Sequence, residues 1–277
     1  KQRKRLSPGK YAVYTILLLL AIFAIGPLVL ALFTALKTQS QLATDPLGWP
    51  THPQWHNFID AWNQANMGAG LLNSAILVIA TALGVCVISG SAAYAMSRLH
   101  VPGSNFFILY LLVTASLPIQ LFLVPLFFIW TNLGLYDNLF GLVIIYWAVY
   151  SPFATLLIRS FMVALPKEYE EAARLDGAGD LRVLLKVVLP MAWPGFLTAA
   201  LVAGLQAYNE FMLAVTFIQS SGKMPVSTSF FSFQSGYTQN YTLTSAGGLI
   251  MVIPVLIAFL FLQRRFIEGY TSSGMTG

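Results

Sequence analysis

The chain has 277 residues, of which 57% are hydrophobic and 9% are charged, and its mean hydropathy is +0.72. Because soluble globular domains carry about 25% charged residues, water is not the solvent for most of this surface. The 15 Lys and Arg residues exceed the 10 Asp and Glu residues, but they lie between apolar runs rather than in one basic patch, which argues against a nucleic-acid partner.

Six apolar stretches are long enough to cross a bilayer as helices. A span needs about 20 apolar residues, because backbone polar groups in hydrocarbon must be satisfied within the helix itself. We therefore predict an all-α, polytopic membrane protein with a single transmembrane domain over residues 1–277. The six predicted transmembrane helices cover approximately residues 11–36, 71–97, 106–130, 138–158, 191–218 and 243–262.

The positive charges predict the orientation of these helices, since Lys and Arg in short loops remain cytoplasmic. With a cytoplasmic N-terminus, 13 of the 15 Lys and Arg residues fall in inner segments, and Lys37 and Lys223 fall outside. Both termini are therefore predicted to be cytoplasmic. The basic start KQRKR imitates a signal peptide, but the apolar run that follows is longer than the usual core of about 7 to 15 residues. We interpret it as a retained first helix.

Prolines mark both the outer loops and the spans. The outer segment 38–70 contains three prolines and three tryptophans and is predicted to form an ordered interfacial cap. Other prolines, at Pro118, Pro125, Pro152 and Pro254, interrupt spans. Broken helices suit a translocation path, where a cavity or neighbouring helices satisfy the freed carbonyls. The alternative for each proline is a kink that serves packing.

The longest predicted cytoplasmic connection, residues 165–190, is the most polar part of the chain and reads as two short helices. In the first helix, Glu170 and Arg174 are predicted to pair at i,i+4, and Gly177 to form a left-handed C-terminal cap. Asp180 is predicted to cap the second helix. The apolar stripe of that second helix is predicted to comprise Leu181, Leu184, Leu185 and Val188.

Small residues flanked by charges characterise the first of these helices. Ala172 and Ala173 lie within it, and Gly177 and Ala178 follow at its end. Such a surface lets another backbone approach closely, as a docking element requires. The alternative is an amphipathic helix that lies on the membrane surface.

The same residues match the EAA motif of ABC importer permeases, which is written as EAA, three residues, Gly, nine residues, Ile, one residue and Leu-Pro. The matching positions are Glu171, Ala172, Ala173, Gly177, Val187, Leu189 and Pro190. The departure is Val187 in place of Ile. The segments PFATLLIRSF, YNEF, NSAILV, AAYAMSRL and QRRF, with the tail GYTSSGMTG, resemble the maltose-type branch of sugar permeases, most closely its six-span subunit. That branch usually has Trp-Asn where this chain has Tyr208-Asn209.

The resemblance implies a type I importer in the cytoplasmic membrane of a bacterium or archaeon, in contact with membrane lipid. Its partners would be a second permease subunit, two ATP-binding subunits and an extracytoplasmic sugar-binding protein. The loop 165–190 would hold a coupling helix that docks on an ATP-binding subunit, the tail 263–277 would touch that subunit too, and the loop 219–242 would face the binding protein. The implied coupling residues are Glu170, Glu171, Ala172, Ala173, Arg174, Asp176, Gly177 and Ala178.

The sequence contains no GxxxxGK[ST] phosphate loop, so ATP chemistry is expected to come from another chain. We therefore expect no enzyme activity, catalytic residue, metal site or cofactor in this chain, with ATP and Mg²⁺ bound by the partner ATPase subunits. His52 and His56 are four residues apart, but Pro53 disfavours a shared helix and with it a metal site.

Glu210 is the one ionisable residue within a predicted span away from the helix ends. Such a residue is a functional hypothesis by default, because it costs about 2.5 kcal/mol or more at the helix centre. The alternative is a hydrogen bond to another helix. The candidate residues of a substrate path are Tyr208, Asn209, Glu210, Gln206, Gln120, Asn73 and Tyr150. Since no predicted span contains Lys or Arg, a neutral sugar or oligosaccharide is favoured over an anion.

Three rival functions remain open from the sequence. The first is a permease of the same type for a non-sugar solute, such as a glycerophosphodiester or a polyamine. The second is a stand-alone secondary transporter, which would need coupling-ion sites and leave the loop 165–190 without a role. The third is a membrane enzyme, for which the spans offer no metal-ligand cluster or nucleophile-base pair.

Overall fold

The computed structural model describes residues 8–231, 233 and 240–273, and these residues form helices joined by turns. The predicted all-α class is confirmed. In chain order the helices are α1 (Pro8–Ala35), α2 (Gln39–Thr44), α3 (His56–Gln64), α4 (Met67–Arg98), α5 (Ser104–Ser116), a 3-10 turn (Ile119–Phe122), α6 (Leu123–Asn132), α7 (Leu139–Val163), α8 (Glu168–Leu175), α9 (Asp180–Val183), a π-helical turn (Leu184–Val188), α10 (Leu189–Met191), α11 (Trp193–Asn209), α12 (Met212–Phe217), α13 (Val226–Phe231) and α14 (Tyr241–Ser273).

The described part of the chain offers four to six candidate membrane spans. The stretches Val13–Ala35, Met67–Arg98, Leu139–Val163 and Tyr241–Phe261 are each long and apolar enough to cross a membrane. Two bent pairs raise the number to six if each pair is one span: α5 with Ile119–Asn132, and Asp180–Met191 with α11. Helix α14 continues to Ser273, so the backbone stays helical into the segment predicted as a tail.

The third predicted span is bent rather than straight. A 90° bend separates α5 from the helical segment that follows it. Leu117 has an extended backbone (φ −78°, ψ 131°), as expected for a residue that precedes proline. Pro118 also has no N–H to continue the helix. The predicted span over 106–130 is therefore a broken helix, with the interruption at Pro118 that the sequence predicted.

The fifth predicted span, 191–218, is also not one helix. Helix α11 ends at Asn209 after 17 residues, which is about 25 Å, and α12 begins at Met212. Glu210 between them is extended, with ψ 127°. A second bend, of 79°, separates α10 from α11 near Ala192.

The contacts divide the described residues into two units, and the first comprises those within 1–67 and 230–254. Its loop after α1 is organised around Lys37, whose side chain is fully buried. The ammonium group donates to the carbonyl oxygens of Asp45 (2.7 Å) and Pro46 (3.1 Å). The Asn57 amide donates to the carbonyls of Ala35 (2.7 Å) and Lys37 (2.9 Å), which have no partner within the helix at its C-terminal end. The predicted cap is thus an ordered structure.

The second unit comprises the described residues within 68–229 and 255–277. Helix α7 is central to its packing, because half of the most apolar stretch of this helix is buried. One core cluster joins α7 to α4, α9 and α11, and another joins it to α12. Gly84 on α4 lets the ring of Trp147 lie against the helix, where the indole N–H donates to the carbonyl of Ala80 at 2.9 Å.

Candidate functional site: the EAA loop and the helix break at Glu210

Helix α8 forms the first half of the EAA loop, residues 165–190. Its first turn contains Glu168, Glu170 and Glu171, whose charges favour the positive end of the helix dipole. The helix ends at Leu175, and Gly177, two residues later, has a left-handed backbone (φ 81°). The N–H of Gly177 donates to the carbonyl of Arg174, and the N–H of Ala178 to that of Ala173, both at 3.0 Å. This is the Schellman pattern, and the predicted left-handed cap is confirmed.

The second half of the loop differs from the prediction in two respects. Asp180 is the first residue of α9 rather than its cap, and the residue at the cap position is Gly179. The π-helical turn after α9 adds a residue to one helical turn, so that the N–H of Leu189 bonds to the carbonyl of Leu184. Because of this shift, Val183 and Val188 are buried, whereas Leu181 and Leu185 of the predicted stripe are exposed.

Glu170 pairs with Arg98, and not with Arg174 as the i,i+4 spacing predicted. Nε of Arg98 lies 2.9 Å from Oε1 of Glu170, and the two side chains are 2% and 9% exposed. The alignment falls short of a hydrogen bond, so the contact is an ion pair. Nη2 of Arg98 also donates to the carbonyls of Met162 and Leu165, the latter at 2.8 Å.

Arg174 makes its contacts on the same side of α8. Its Nη1 lies 2.6 Å from Oδ1 of Asp180, which joins α8 to α9. Its Nη2 donates to the hydroxyl of Tyr94 at 3.3 Å. The Asp180 carboxylate raises the pKa of the Arg174 guanidinium, so this charge is retained at any physiological pH.

The opposite side of α8 is exposed. Glu171, Ala172, Asp176 and Gly177 are exposed, whereas Ala173 and Ala178 are half-buried against the core. The side chain of Leu175 is 89% exposed. Of the coupling residues predicted from the motif, Glu170, Ala173, Arg174 and Ala178 thus contact the body of this unit, and Glu171, Ala172, Asp176 and Gly177 face outward.

The helix break after α11 is built around the carboxylate of Glu210. Oε1 accepts the N–H of Leu213 (2.8 Å), and Oε2 accepts the N–H of Ala214 (2.9 Å) and the hydroxyl of Tyr146 (3.1 Å). The Ser227 hydroxyl donates to the Glu210 carbonyl at 2.7 Å. The carboxylate therefore caps the first turn of α12, whose N–H groups have no partner within the helix.

The other predicted substrate-path residues occupy different places. Tyr150 packs its ring against Tyr146, with centroids 5.5 Å apart, so these two rings and Glu210 lie together. Gln206 and Asn209 lie on an exposed face of α11, and Tyr208 on a buried one. The last two candidates to describe are Asn73 and Gln120. The Asn73 amide donates to the carbonyls of Gly222 (2.9 Å) and Met224 (3.1 Å), and Gln120 is exposed in the 3-10 turn.

Asp137, which the sequence reading did not single out, joins the turn before α7 to the loop after α12. Its carboxylate accepts the N–H groups of Gln219 and Ser220 at 2.9 Å, the Ser220 hydroxyl, and the Lys223 ammonium at 3.2 Å. These donors, led by Ser220, hold the pKa of Asp137 well below its usual value. The signal in the sequence was Lys223 itself, one of two positive residues on the predicted outer side.

Arg98 and Tyr94 are likewise functional candidates that the sequence reading missed. Both belong to the AAYAMSRL segment at the end of α4. In the sequence analysis, Arg98 was counted only among the positive charges that predict the orientation of the helices in the membrane. Its burial and its partner 72 residues further along the chain depend on tertiary structure.

The apolar helices α4, α5 and α11 packed on α7, together with a polar loop whose capped helix carries an EAA motif, define a permease subunit of an ABC importer. The model of the family "Binding-protein-dependent transport system inner membrane component" matches residues 86–270. The chain belongs to this family, and it is a multi-pass membrane component of a transporter rather than a catalytic enzyme.

Several relatives match nearly the whole chain. It is 32% identical to the probable ABC transporter permease protein YurM of Bacillus subtilis, over 100% of this chain and 92% of that protein. It is also 32% identical to the diacetylchitobiose uptake system permease protein NgcG of Streptomyces coelicolor (94% and 87%). The sulfoquinovosyl glycerol transport system permease protein SmoH of Agrobacterium fabrum is 30% identical (98% and 94%).

A solved structure shows the same fold. It is a crystal structure of a bacterial ABC transporter involved in the import of the acidic polysaccharide alginate, and the chain matched there superposes with a TM-score of 0.78. The superposition covers 95% of this chain and 99% of that one, at 20% sequence identity. The predicted type I importer permease fold is confirmed.

Proposed function

We propose that this chain is one permease subunit of an ATP-driven, binding-protein-dependent importer of a neutral sugar or oligosaccharide. The carbohydrate class is supported by relatives named for diacetylchitobiose, sulfoquinovosyl glycerol and arabinooligosaccharides. Electrical neutrality of the substrate is supported by the spans predicted from the sequence, such as 71–97 and 138–158, which lack Lys and Arg, whereas the predicted span 191–218 contains Glu210. Within these predicted spans an anion would meet no countercharge from this chain.

The observation that supports coupling to an ATPase is the outward surface of α8. This surface combines small residues, acidic residues and the almost fully exposed Leu175 around a positive-φ glycine. A Cβ added at Gly177 would meet no atom of the described residues within 4 Å. The space beside Gly177 is thus open to the backbone of a partner. Helix α8 serves as the coupling helix in this proposal.

The partners follow from this assignment. Two ATP-binding subunits bind ATP and Mg²⁺, and one of them receives α8 on the cytoplasmic side, where both termini of the chain also lie. The tail 263–277 provides a second contact with the ATPase, and α14 is helical as far as Ser273. The loop 219–242 faces the extracytoplasmic binding protein, although residues 232 and 234–239 of it lie outside the described residues. A second permease subunit completes the translocation path.

Sugar recognition within the membrane is assigned to the exposed face of α11. Gln206 and Asn209 present amide groups there, and amides can both donate to and accept from sugar hydroxyls. The Asn209 amide is oriented by a bond to the carbonyl of Leu205 at 3.0 Å. Glu210 contributes through the break that it stabilises, since both of its carboxylate oxygens already accept hydrogen bonds.

The coupling assignment is tested by substituting Gly177→Leu and comparing the variant with Gly134→Leu. Both glycines have positive φ (81° and 68°), and a Cβ at either would meet nothing within 4 Å. Each substitution is expected to cost about 1–2 kcal/mol of backbone strain. Only Gly177→Leu is expected to abolish ATP-driven uptake and to weaken co-purification of the ATP-binding subunit.

Equal uptake by the two variants would contradict a docking role for α8. The substrate class is tested separately by titrating the cognate binding protein with neutral oligosaccharides. Failure to bind any of them would remove the neutral sugar from the proposal and leave the coupling role intact.

A further inference from the structure

The end of α4 holds α8 through two polar contacts that are one helical turn apart on both helices. Arg98 pairs with Glu170 at 2.9 Å, and Tyr94 accepts from Arg174 at 3.3 Å. Residues at i and i+4 share one face of a helix. One face of α4 therefore meets one face of α8 at two successive turns, which fixes the position of α8 and also its rotation about its own axis.

Arg98 additionally binds the end of α7. Its guanidinium donates to the carbonyl of Met162 in the last turn of that helix and to the carbonyl of Leu165, two residues beyond the last residue of the helix, Val163. Carbonyls at a helix C-terminus lack partners within the helix and bear the negative end of its dipole. The planar guanidinium holds donors in a fixed geometry, so one side chain serves the carboxylate and both carbonyls at once.

Both partners of the Arg98–Glu170 pair are buried. The Arg98 side chain is 2% exposed and that of Glu170 is 9% exposed. A buried ion is tolerated when it is paired, and loss of either partner leaves the other uncompensated. By contrast, Glu171, the next residue along α8, is exposed. The two adjacent glutamates therefore lie on different sides of α8. Glu170 lies on the side that contacts α4, and Glu171 lies on the exposed side.

We propose that Arg98 is a positioning residue that joins α4, α7 and α8 into one mechanical unit, so that displacement of α8 moves the ends of both long helices. This inference rests on the proposed docking of α8 on an ATP-binding subunit. An apolar contact of similar size would hold α8 in place without fixing its orientation. The role of Arg98 thus differs from a contribution to stability alone.

The experiment compares the assembled transporter containing wild-type chain with one containing Arg98→Met together with Glu170→Met. The double substitution removes both charges, so neither is left buried and unpaired. The readouts are co-purification of the ATP-binding subunit, and the factor by which sugar-loaded binding protein stimulates ATP hydrolysis. We expect co-purification to persist and stimulation to fall by about fivefold or more, the lower end of typical coupling between sites. Arg182→Met, which removes an exposed arginine from α9 of the same loop, is the matched control and is expected to keep wild-type stimulation.

Wild-type stimulation in the double variant, or an equal loss in Arg182→Met, would overturn the proposal. If the double variant does not assemble, Arg98→Lys decides the question, because lysine keeps the charge but lacks the planar fork. Stimulation by Arg98→Lys that equals the wild type would also overturn it, and a partial loss in the assembled complex would support it. Failure of the proposed function is distinguishable, since the ATP-binding subunit would then not co-purify even with the wild-type chain.

Discussion

Replacing Glu210 with glutamine exchanges one carboxylate oxygen for an NH₂ group within the helix break. In the wild type, Oε1 accepts the N–H of Leu213, and Oε2 accepts that of Ala214. A glutamine can offer its single oxygen to one of these N–H groups, and in either orientation the other N–H faces the NH₂. The Tyr146 hydroxyl adapts, because it can accept from the NH₂ instead of donating. One buried donor without a partner costs about 1–3 kcal/mol, which is the expected loss in the free energy of unfolding.

The measurement is the denaturation midpoint of the purified transporter in detergent, with Tyr146→Phe as the matched variant. That substitution removes one hydrogen bond to the carboxylate and leaves both backbone N–H groups capped, so it is expected to cost less than Glu210→Gln. Uptake specificity for two different sugars is expected to stay the same in Glu210→Gln, because the carboxylate is held at the helix break by two backbone N–H groups and the Tyr146 hydroxyl. A Glu210→Gln variant as stable as the wild type, with altered specificity, would refute this reasoning and return Glu210 to the substrate path.

Two further substitutions test the packing and the outer loops. Gly84→Ala places a Cβ 2.0 Å from the indole nitrogen of Trp147 and displaces that ring from Ala80. Overpacking of this kind is expected to lower the free energy of unfolding by about 1–3 kcal/mol, measured by thermal denaturation. The control is Gly26→Ala on α1, where a Cβ meets nothing within 4 Å among the described residues, and it is expected to be neutral or stabilising. Because the folded-state pKa of Asp137 is lowered, its contribution to stability is complete above the unfolded pKa of about 3.9 and is lost as pH falls below it. Wild type should therefore exceed Asp137→Asn in stability at pH 7, and the difference should shrink between about pH 5 and pH 3; a difference that is constant with pH would contradict the role of the carboxylate.

Local sequence rules predicted the features that depend on a few neighbouring residues. Gly177 has the positive φ that its place after a short helix required, and Pro118 breaks the third apolar run. The long apolar stretches became helices because hydrocarbon leaves no other way to satisfy their backbone groups. These are consequences of spacing and of residue type within one or two helical turns.

Features that depend on distant partners could not be read from the sequence. The spacing of Glu170 and Arg174 favoured a pair with each other, but Arg98, on another helix, offered Glu170 a buried partner. The break at Glu210 was missed because no proline or glycine marks it; the carboxylate itself supplies the acceptors that let α12 begin anew. In both cases a charged side chain found a tertiary contact that outweighs the local preference.

The π-helical turn at Leu184–Val188 makes the orientation of the EAA loop depend on the number of residues in this turn. One residue of an α-helix corresponds to about 100° of rotation about the helix axis. The extra residue of the π-helical turn therefore sets the direction, around the axis of the helix formed by α9 and α10, in which α8 lies. Deleting a single residue there would convert the π-helical turn to an ordinary α-helical turn. The preceding part of the EAA loop, including α8, would then be rotated about the axis of this helix. The direction in which this protein offers its loop is therefore encoded by a count of residues as much as by their identity.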